Sequence, residues 1–299
     1  MNSTVVKIRR ATPADVRPAF DVSMAAMKDL FARQGNEWKL DPESFWTVLK
    51  PFLTHLAAHA AEWWIAEDSS DGSLIGYARS IERGGLFELS EFFVRPDRQS
   101  AGVGRRLIER AFPPGRGEVR AIIATTDVRG LHRYYAAGTV ARFAMVSLAG
   151  PPRLMRGGGD LEVVSATLED VAELAAIEQS VFGYPRHADY PWLFGQREAY
   201  LYRRARRAVG FAFFSETGQG PIAALDPADL RPILLHLEAR AHACGMESVS
   251  FEVPTINEVA MRHLFGRGFK IDAPINLLMS NVPFGRFDRL VAFAPSIVL

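Results

Sequence analysis

The chain has 299 residues, of which 48% are hydrophobic and 23% are charged, a composition that excludes an intrinsically disordered protein. Lys and Arg number 35 against 34 Asp and Glu, and the resulting formal charge of +1 gives no sign of a nucleic-acid-binding surface. The single cysteine, Cys244, excludes an intramolecular disulfide framework and a cysteine-rich zinc site.

The N-terminal residues lack the apolar core of a signal peptide, and no apolar run reaches the roughly 18–20 residues that span a bilayer. We therefore expect a cytoplasmic protein without a membrane partner. The seven histidines show no metal-ligand spacing with nearby carboxylates, so we expect no metal site.

Strand and helix signals alternate along the first half. A β-branched run at 5–10 precedes Thr12-Pro13, a helix N-cap followed by proline at the first helical position. Asp41-Pro42 opens a second helix in the same way. The remaining pattern predicts, in order, strands 63–66, 74–81 and 86–94, a helix 102–112, a strand 121–125, a helix 128–137 and a strand 140–148.

The second half repeats this order behind a segment rich in chain breakers. The eleven residues from Gly150 to Asp160 contain two prolines and four glycines, which predicts a linker over 151–160. At a constant offset of 130 residues, Asp127, Gly130, Tyr134 and Gly138 correspond to Asn257, Ala260, Leu264 and Gly268. Two copies at so long a period predict two tandem domains, 1–150 and 161–299.

The most informative stretch is the loop that follows strand 86–94. Gln99–Gly104 (QSAGVG) places two glycines at the mouth of a helix. Glycines let a backbone approach a phosphate closely, and a helix N-terminus offers free N–H groups and a partial positive charge. The loop lacks the third glycine of a dinucleotide-binding fingerprint and the Gly-Lys-Ser/Thr of a Walker loop.

This loop and two further motifs resemble the GCN5-related N-acetyltransferase (GNAT) superfamily. Residues 99–104 match its Q/R-x-x-G-x-G/A acetyl-CoA loop, residues 127–138 (DVRGLHRYYAAG) resemble its second motif, and residues 8–15 look like its first strand and helix cap. The resemblance implies an α/β (α+β) fold of two tandem GNAT-like domains, each a mixed, largely antiparallel sheet flanked by helices. The second half keeps the second motif but lacks the glycine loop, which implies one acetyl-CoA site, in the first half.

The resemblance also implies which residues bind acetyl-CoA. Loop amides grip the pyrophosphate, and the end of the preceding strand pairs with the pantetheine arm. The residues so implied are Phe92, Phe93, Val94, Gln99, Ser100, Ala101, Gly102, Val103, Gly104 and Arg105. Asp127 stands where the family usually has a cofactor-side asparagine; because an ionised aspartate cannot donate a hydrogen bond, we expect it to cap its helix instead.

The implied reaction is direct attack of a primary amine on the thioester, which needs a general base and a general acid. Tyr134 matches the family's acid, and Leu264 replaces it in the second half. Glu88 and Glu91 are both candidate bases. A regular strand would place them on opposite faces, whereas a bulge would bring them to the same face.

The acceptor is less well defined. We expect a small-molecule amine, with Glu37 and Trp38 as candidate pocket residues and no nucleic acid. The sequence leaves open whether the protein is a monomer or a homodimer, and whether the donor carries a longer acyl chain. Two other functions also stay open, a non-catalytic acyl-CoA-binding regulatory module and an interaction scaffold. The tail 284–299 is apolar enough that we expect it to pack on a sheet or on the partner domain.

Overall fold

The structure is a computed structural model that describes residues 6–99, 102–154, 160–272, 275–294 and 298. Its helices are α1 (Val16–Arg33), α2 (Pro42–Ala58), α3 (Val103–Ala111), α4 (Val128–Ala136), α5 (Val171–Val181), α6 (Tyr190–Gln196), α7 (Leu230–Ala243) and α8 (Glu258–Gly266). Its strands are β1 (Val6–Arg10), β2 (Ala60–Asp68), β3 (Leu74–Arg83), β4 (Leu86–Val94), β5 (Val119–Thr125), β6 (Val140–Gly150), β7 (Glu162–Ser165), β8 (Glu198–Arg204), β9 (Arg207–Ser215), β10 (Gly218–Ala224), β11 (Val249–Pro254), β12 (Lys270–Ile271), β13 (Asn276–Ser280) and β14 (Leu290–Val291). The predicted α/β class is confirmed. Within the described part of the chain, no helix is long and apolar enough to cross a bilayer.

The second helix begins where its capping residue predicts, whereas Thr12 caps a short 3-10 turn (Pro13–Asp15) and α1 follows from Val16. Asp15 accepts a hydrogen bond from the Thr12 N–H at 2.7 Å and forms an ion pair with Arg9 at 2.9 Å, which fixes the turn into α1. Asp41 accepts from the Ser44 N–H at 2.8 Å and caps α2. A side-chain acceptor at these positions satisfies N–H groups that the helix itself leaves unpaired.

The chain divides into two compact units. The first contains the described residues up to Ile122 together with Asp127–Thr139, and the second contains Ile123–Thr126 and the described residues from Val140 onward. Strand β6 is grouped with the second unit, where it pairs antiparallel with β11 and β13. The predicted boundary at residue 150 assigned β6 to the first half, because a breaker-rich segment marks a chain position and says nothing about distant strand partners. The division into domains 1–150 and 161–299 stays a prediction.

In the first unit, β1, β2, β3 and β4 form consecutive antiparallel pairs, and β5 lies parallel to β4. Helices α1 and α2 cover one face, where Phe20, Leu53 and Tyr77 share a buried cluster. Helix α3 covers the other face, where the Ser80 hydroxyl donates to the carbonyl of Ala111 at 2.6 Å. The strand β4 therefore lies inside the sheet, with helices on both of its faces.

In the second unit, β14, β10, β9, β8 and β7 form an antiparallel sheet in that order. Leu148 of β6 is fully buried in the core of this unit, together with Leu230, Phe251 and Leu264. The core thus draws on strands and helices that lie more than 100 residues apart in the sequence.

Replacing Leu148 with Ala should lower the free energy of unfolding by about 2–5 kcal/mol, because it leaves a cavity in a closed core. Leu154→Ala is the matched control, since the Leu154 side chain is 64% exposed, and it should cost less than about 0.5 kcal/mol. Urea unfolding of both variants measures the difference, and equal midpoints would contradict the place of β6 in this core.

Candidate active site

Strand β4 loses one of its two neighbours halfway along its length. It pairs with β3 from Leu86 to Val94, but its parallel pairing with β5 comprises only Leu86, Phe87 and Glu88. Among the described residues, 89–94 have no strand partner on the β5 side. The last half of β4 therefore presents a row of backbone N–H and C=O groups that can pair with another extended chain.

The glycine loop follows directly at the end of this edge. The Gln99 side chain donates to the Val94 carbonyl at 3.0 Å and so ties the loop to the strand. Gly102 is the N-cap of α3 with φ +76°, a left-handed conformation that favours glycine. A Cβ on Gly104 would lie 3.0 Å from the Phe92 ring, so a side chain there would require the ring to shift by a few tenths of an ångström.

The other predicted loop residues differ in their burial and contacts. Ser100 and Ala101 lie outside the described residues. Val103 is buried in the core, so only its backbone faces the helix mouth, and Arg105 is exposed with Glu109 as its partner at 3.7 Å. The first N–H groups of α3 have no partner within the helix. Together with the helix dipole, they make this end of α3 suitable for an anion.

The two candidate bases, Glu88 and Glu91, lie on the same face of β4. Glu88 is opposite Ile81 and Glu91 is opposite Arg79, with a register shift at Ser90. Ser90 is thus the extra residue of a β-bulge, which produces the change of parity that the sequence left open. Both carboxylates are buried, with 1% and 5% of their surfaces exposed.

Glu91 is held in a buried ion pair. Its carboxylate accepts from the Arg79 guanidinium and from the Tyr77 hydroxyl, the latter at 2.8 Å. Arg79 also donates to the Leu53 carbonyl of α2 at 3.1 Å and lies over the ring of Trp63. Both Glu91 oxygens are therefore committed to structural partners. Arg79 and Tyr77 were not among the predicted site residues, although an arginine within an otherwise apolar strand signals a buried partner of opposite charge.

Tyr134 lies on α4, buried and edge-on to Phe92 with ring centroids 6.2 Å apart. Burial, helped by the negative charge of Asp127, raises the pKa of the Tyr134 phenol well above its ordinary value. The phenol consequently keeps its proton throughout the neutral range and can act as a donor beside the β4 edge.

Asp127 caps α4, as predicted. It accepts from the Arg129 N–H at 3.1 Å and from the Arg33 guanidinium of α1 at 2.9 Å. Burial opposes ionisation of this carboxyl most strongly, yet the hydrogen bonds from Arg129 and Arg33 hold its pKa below the ordinary value. The carboxylate is thus engaged by the helix and by arginines. Arg33 was not foreseen, because nothing local in the sequence links α1 to α4.

The two acceptor candidates lie in the segment between α1 and α2. Glu37 is exposed and forms an ion pair with Lys39 at 3.6 Å, and Trp38 packs edge-on against Phe31 at 5.2 Å. These contacts are local to the segment. A role for either residue in acceptor binding stays a prediction.

The corresponding helix mouth in the second unit is closed to an anion. Asp226 accepts from the Ala228 N–H at 2.9 Å, and Asp229 forms an ion pair with Arg204 at 2.7 Å, both just before α7. Carboxylates at a helix N-terminus take up the positive end of the dipole that a phosphate needs. Leu264, at the place of Tyr134 in the repeat, is fully buried and has no proton to donate.

Comparison with known proteins gives a family match over the part of the chain that contains the candidate site. Residues 59–137 match the family model described as an acetyltransferase (GNAT) domain. This match covers β2 to α4, the part of the first unit that contains the open edge, the glycine loop and Tyr134. This part of the chain is therefore similar to a GNAT acetyltransferase domain.

Solved structures extend the GNAT fold over both halves. A candidate acetyltransferase from Pyrococcus horikoshii superposes with a TM-score of 0.73 at 15% identity, over 97% of this chain and 94% of its own. A GCN5-related N-acetyltransferase from Sphaerobacter thermophilus gives 0.61 at 14% identity, over 92% and 95%. A tandem GNAT protein from the clavulanic acid biosynthesis pathway gives 0.58 at 13%, over 93% and 99%. No curated protein matches the sequence.

Replacing Glu91 with Gln should lower the free energy of unfolding by about 3–5 kcal/mol, because it leaves the buried Arg79 charge without its anion. Glu109→Gln removes the partner of an exposed i,i+4 pair and should cost less than about 0.5 kcal/mol. Guanidinium unfolding compares the two variants. An effect of Glu91→Gln as small as that of its control would contradict the structural role of the ion pair.

Proposed function

We propose that the first unit transfers the acetyl group of acetyl-CoA to a primary amine of a small molecule. The observation that carries the proposal is the unpaired edge of β4, which leads directly into the open N-terminus of α3. An acyl-CoA has the matching order of groups, with an amide-containing arm joined to a pyrophosphate. The arm would pair with residues 92–94, and the pyrophosphate would bind the amides of the glycine loop.

Glu88 is the general base of this proposal. It shares its face of β4 with Glu91, but Glu91 is committed to Arg79 and Tyr77. Glu88 also lies at the point where β5 diverges, so it is next to the start of the open edge. A buried carboxylate there attracts an ammonium group and can take its proton, directly or through water.

Tyr134 is the general acid. The amine nitrogen attacks the acetyl carbonyl carbon, the C–S bond breaks, and the leaving thiolate takes the phenolic proton. The raised pKa of Tyr134 keeps that proton available. Glu88 removes the surplus proton from nitrogen, so the products are an N-acetylated amine and free CoA.

Glu88→Gln should lower kcat/KM by about 10²–10⁴-fold and Tyr134→Phe by about 10²-fold, the usual contribution of a positioned base or acid. Both variants should keep wild-type affinity for acetyl-CoA. Tyr135→Phe is the matched control, because Tyr135 is the neighbouring tyrosine and is 51% exposed. Release of free thiol measures turnover across a panel of amines. If acetyl-CoA binds but no amine is acetylated, the protein is a non-catalytic acyl-CoA-binding module.

The pH profile gives an independent test of Tyr134. A free phenol loses its proton near pH 10, whereas burial and Asp127 raise the pKa of this one. The wild-type kcat should therefore hold its plateau up to about pH 10.5. A decline with a midpoint at about pH 10 that is absent from Tyr134→Phe would assign the titration to Tyr134 and contradict its raised pKa.

A further inference from the structure

The second unit contains the counterpart of the β4 edge, and there the edge is occupied. β10 precedes α7 as β4 precedes α3. Leu290 and Val291 pair antiparallel with Ala223 and Ile222 of β10. The pairing continues at Ala294, whose N–H donates to the Gln219 carbonyl of β10 at 3.0 Å. We call Leu290–Ala294 the C-terminal segment.

The C-terminal segment also contacts β11, the counterpart of β5. The Ala292 N–H donates to the Glu252 carbonyl at 2.8 Å. Asn257, from the repeat of the α4 motif, is fully buried, and its side-chain amide donates to the Leu290 carbonyl at 2.8 Å. The segment therefore runs between β10 and β11, and a buried side chain binds its backbone.

Two glycines of β10 allow this close approach. A Cβ on Gly218 would lie 2.6 Å from the Ala294 carbonyl oxygen, and one on Gly220 would overlap the Ala292 carbonyl oxygen. Gly220 also has φ +88°, a conformation that favours glycine. No side chain larger than hydrogen fits at either position while the segment is in place.

We propose that the cleft between β10 and β11 is a strand-binding groove whose resident ligand is the C-terminal segment of the same chain. Its peptide groups occupy the place that the amide-containing arm of acyl-CoA takes in the first unit, a comparison that rests on the proposed function. With the groove filled and the α7 mouth closed by Asp226 and Asp229, the described residues of the second unit leave no second donor site.

The groove is tested by freeing it and supplying its ligand in trans. Ala292→Pro combined with Ala294→Pro in the full chain removes the two N–H groups that donate to Glu252 and Gln219. A synthetic peptide of residues 286–296 should bind this variant at least about tenfold more tightly than wild type, whose groove is filled. The same peptide with proline at 292 and 294 is the matched control.

Adding Gly220→Ala to the double variant should abolish peptide binding, because the new methyl group occupies the space of the Ala292 carbonyl. Equal binding of both peptides, or no binding to a folded double variant, would overturn the proposal. Because acetyl-CoA takes no part in this experiment, its result does not depend on the proposed function.

If the proline variants do not fold, hydrogen exchange on the unaltered protein tests whether the C-terminal segment occupies the groove. The Ala292 and Ala294 amides should exchange at least about 100-fold more slowly than amides of exposed loops. Saturating acetyl-CoA should leave their rates unchanged. Fast exchange at these two amides, or acceleration on addition of acetyl-CoA, would show that the segment is not a resident ligand. Failure of acetyl-CoA to protect residues 89–94 would count against the proposed function alone.

Discussion

The divergence of β5 from β4 after Glu88 is the constraint on which the candidate site depends. It leaves the end of β4 with one partner strand, so the backbone groups of residues 89–94 are available to an extended ligand. The glycine loop starts where β4 ends, and β5 leads into α4, which brings Tyr134 beside Phe92. The open edge, the proposed anion site and the proposed proton donor thus all depend on one break in strand pairing. The buried Arg79–Glu91 ion pair lies at the bulge beside this break and commits Glu91 to a structural contact.

The second unit has the same order of strand and helix, but there the edge of the strand is occupied. Its own C-terminal segment pairs with the edge of β10, and carboxylates cap the helix that follows. Asn257 and Asp127 both cap their helices, but Asn257 also binds a peptide carbonyl of this segment, whereas Asp127 holds two arginines. The occupied edge of β10 and the carboxylates before α7 therefore distinguish the second unit from the first.

Sequence patterns were sufficient to predict the local structure of this protein. The strand 86–94, the helix behind the glycine loop and the caps at Asp41 and Asp127 all follow from residue types within a few positions of one another. The long-range contacts could not be predicted from such local patterns. The pairing of β6 with β11, the ion pair of Glu91 and the insertion of the C-terminal segment join residues with no shared local pattern. The tail 284–299 was predicted to pack because it is apolar, but strand direction and register require the tertiary structure.

The most direct test of this account is a calorimetric titration of acetyl-CoA into the full chain, with the Gly102→Glu, Gly104→Glu double variant beside it. Added carboxylates should repel the pyrophosphate at the mouth of α3, just as Asp226 and Asp229 occupy the mouth of α7. Wild type should bind one equivalent of acetyl-CoA, and the folded variant should bind none. Two equivalents would contradict the filled second cleft, and no binding to wild type would contradict the donor site at the β4 edge.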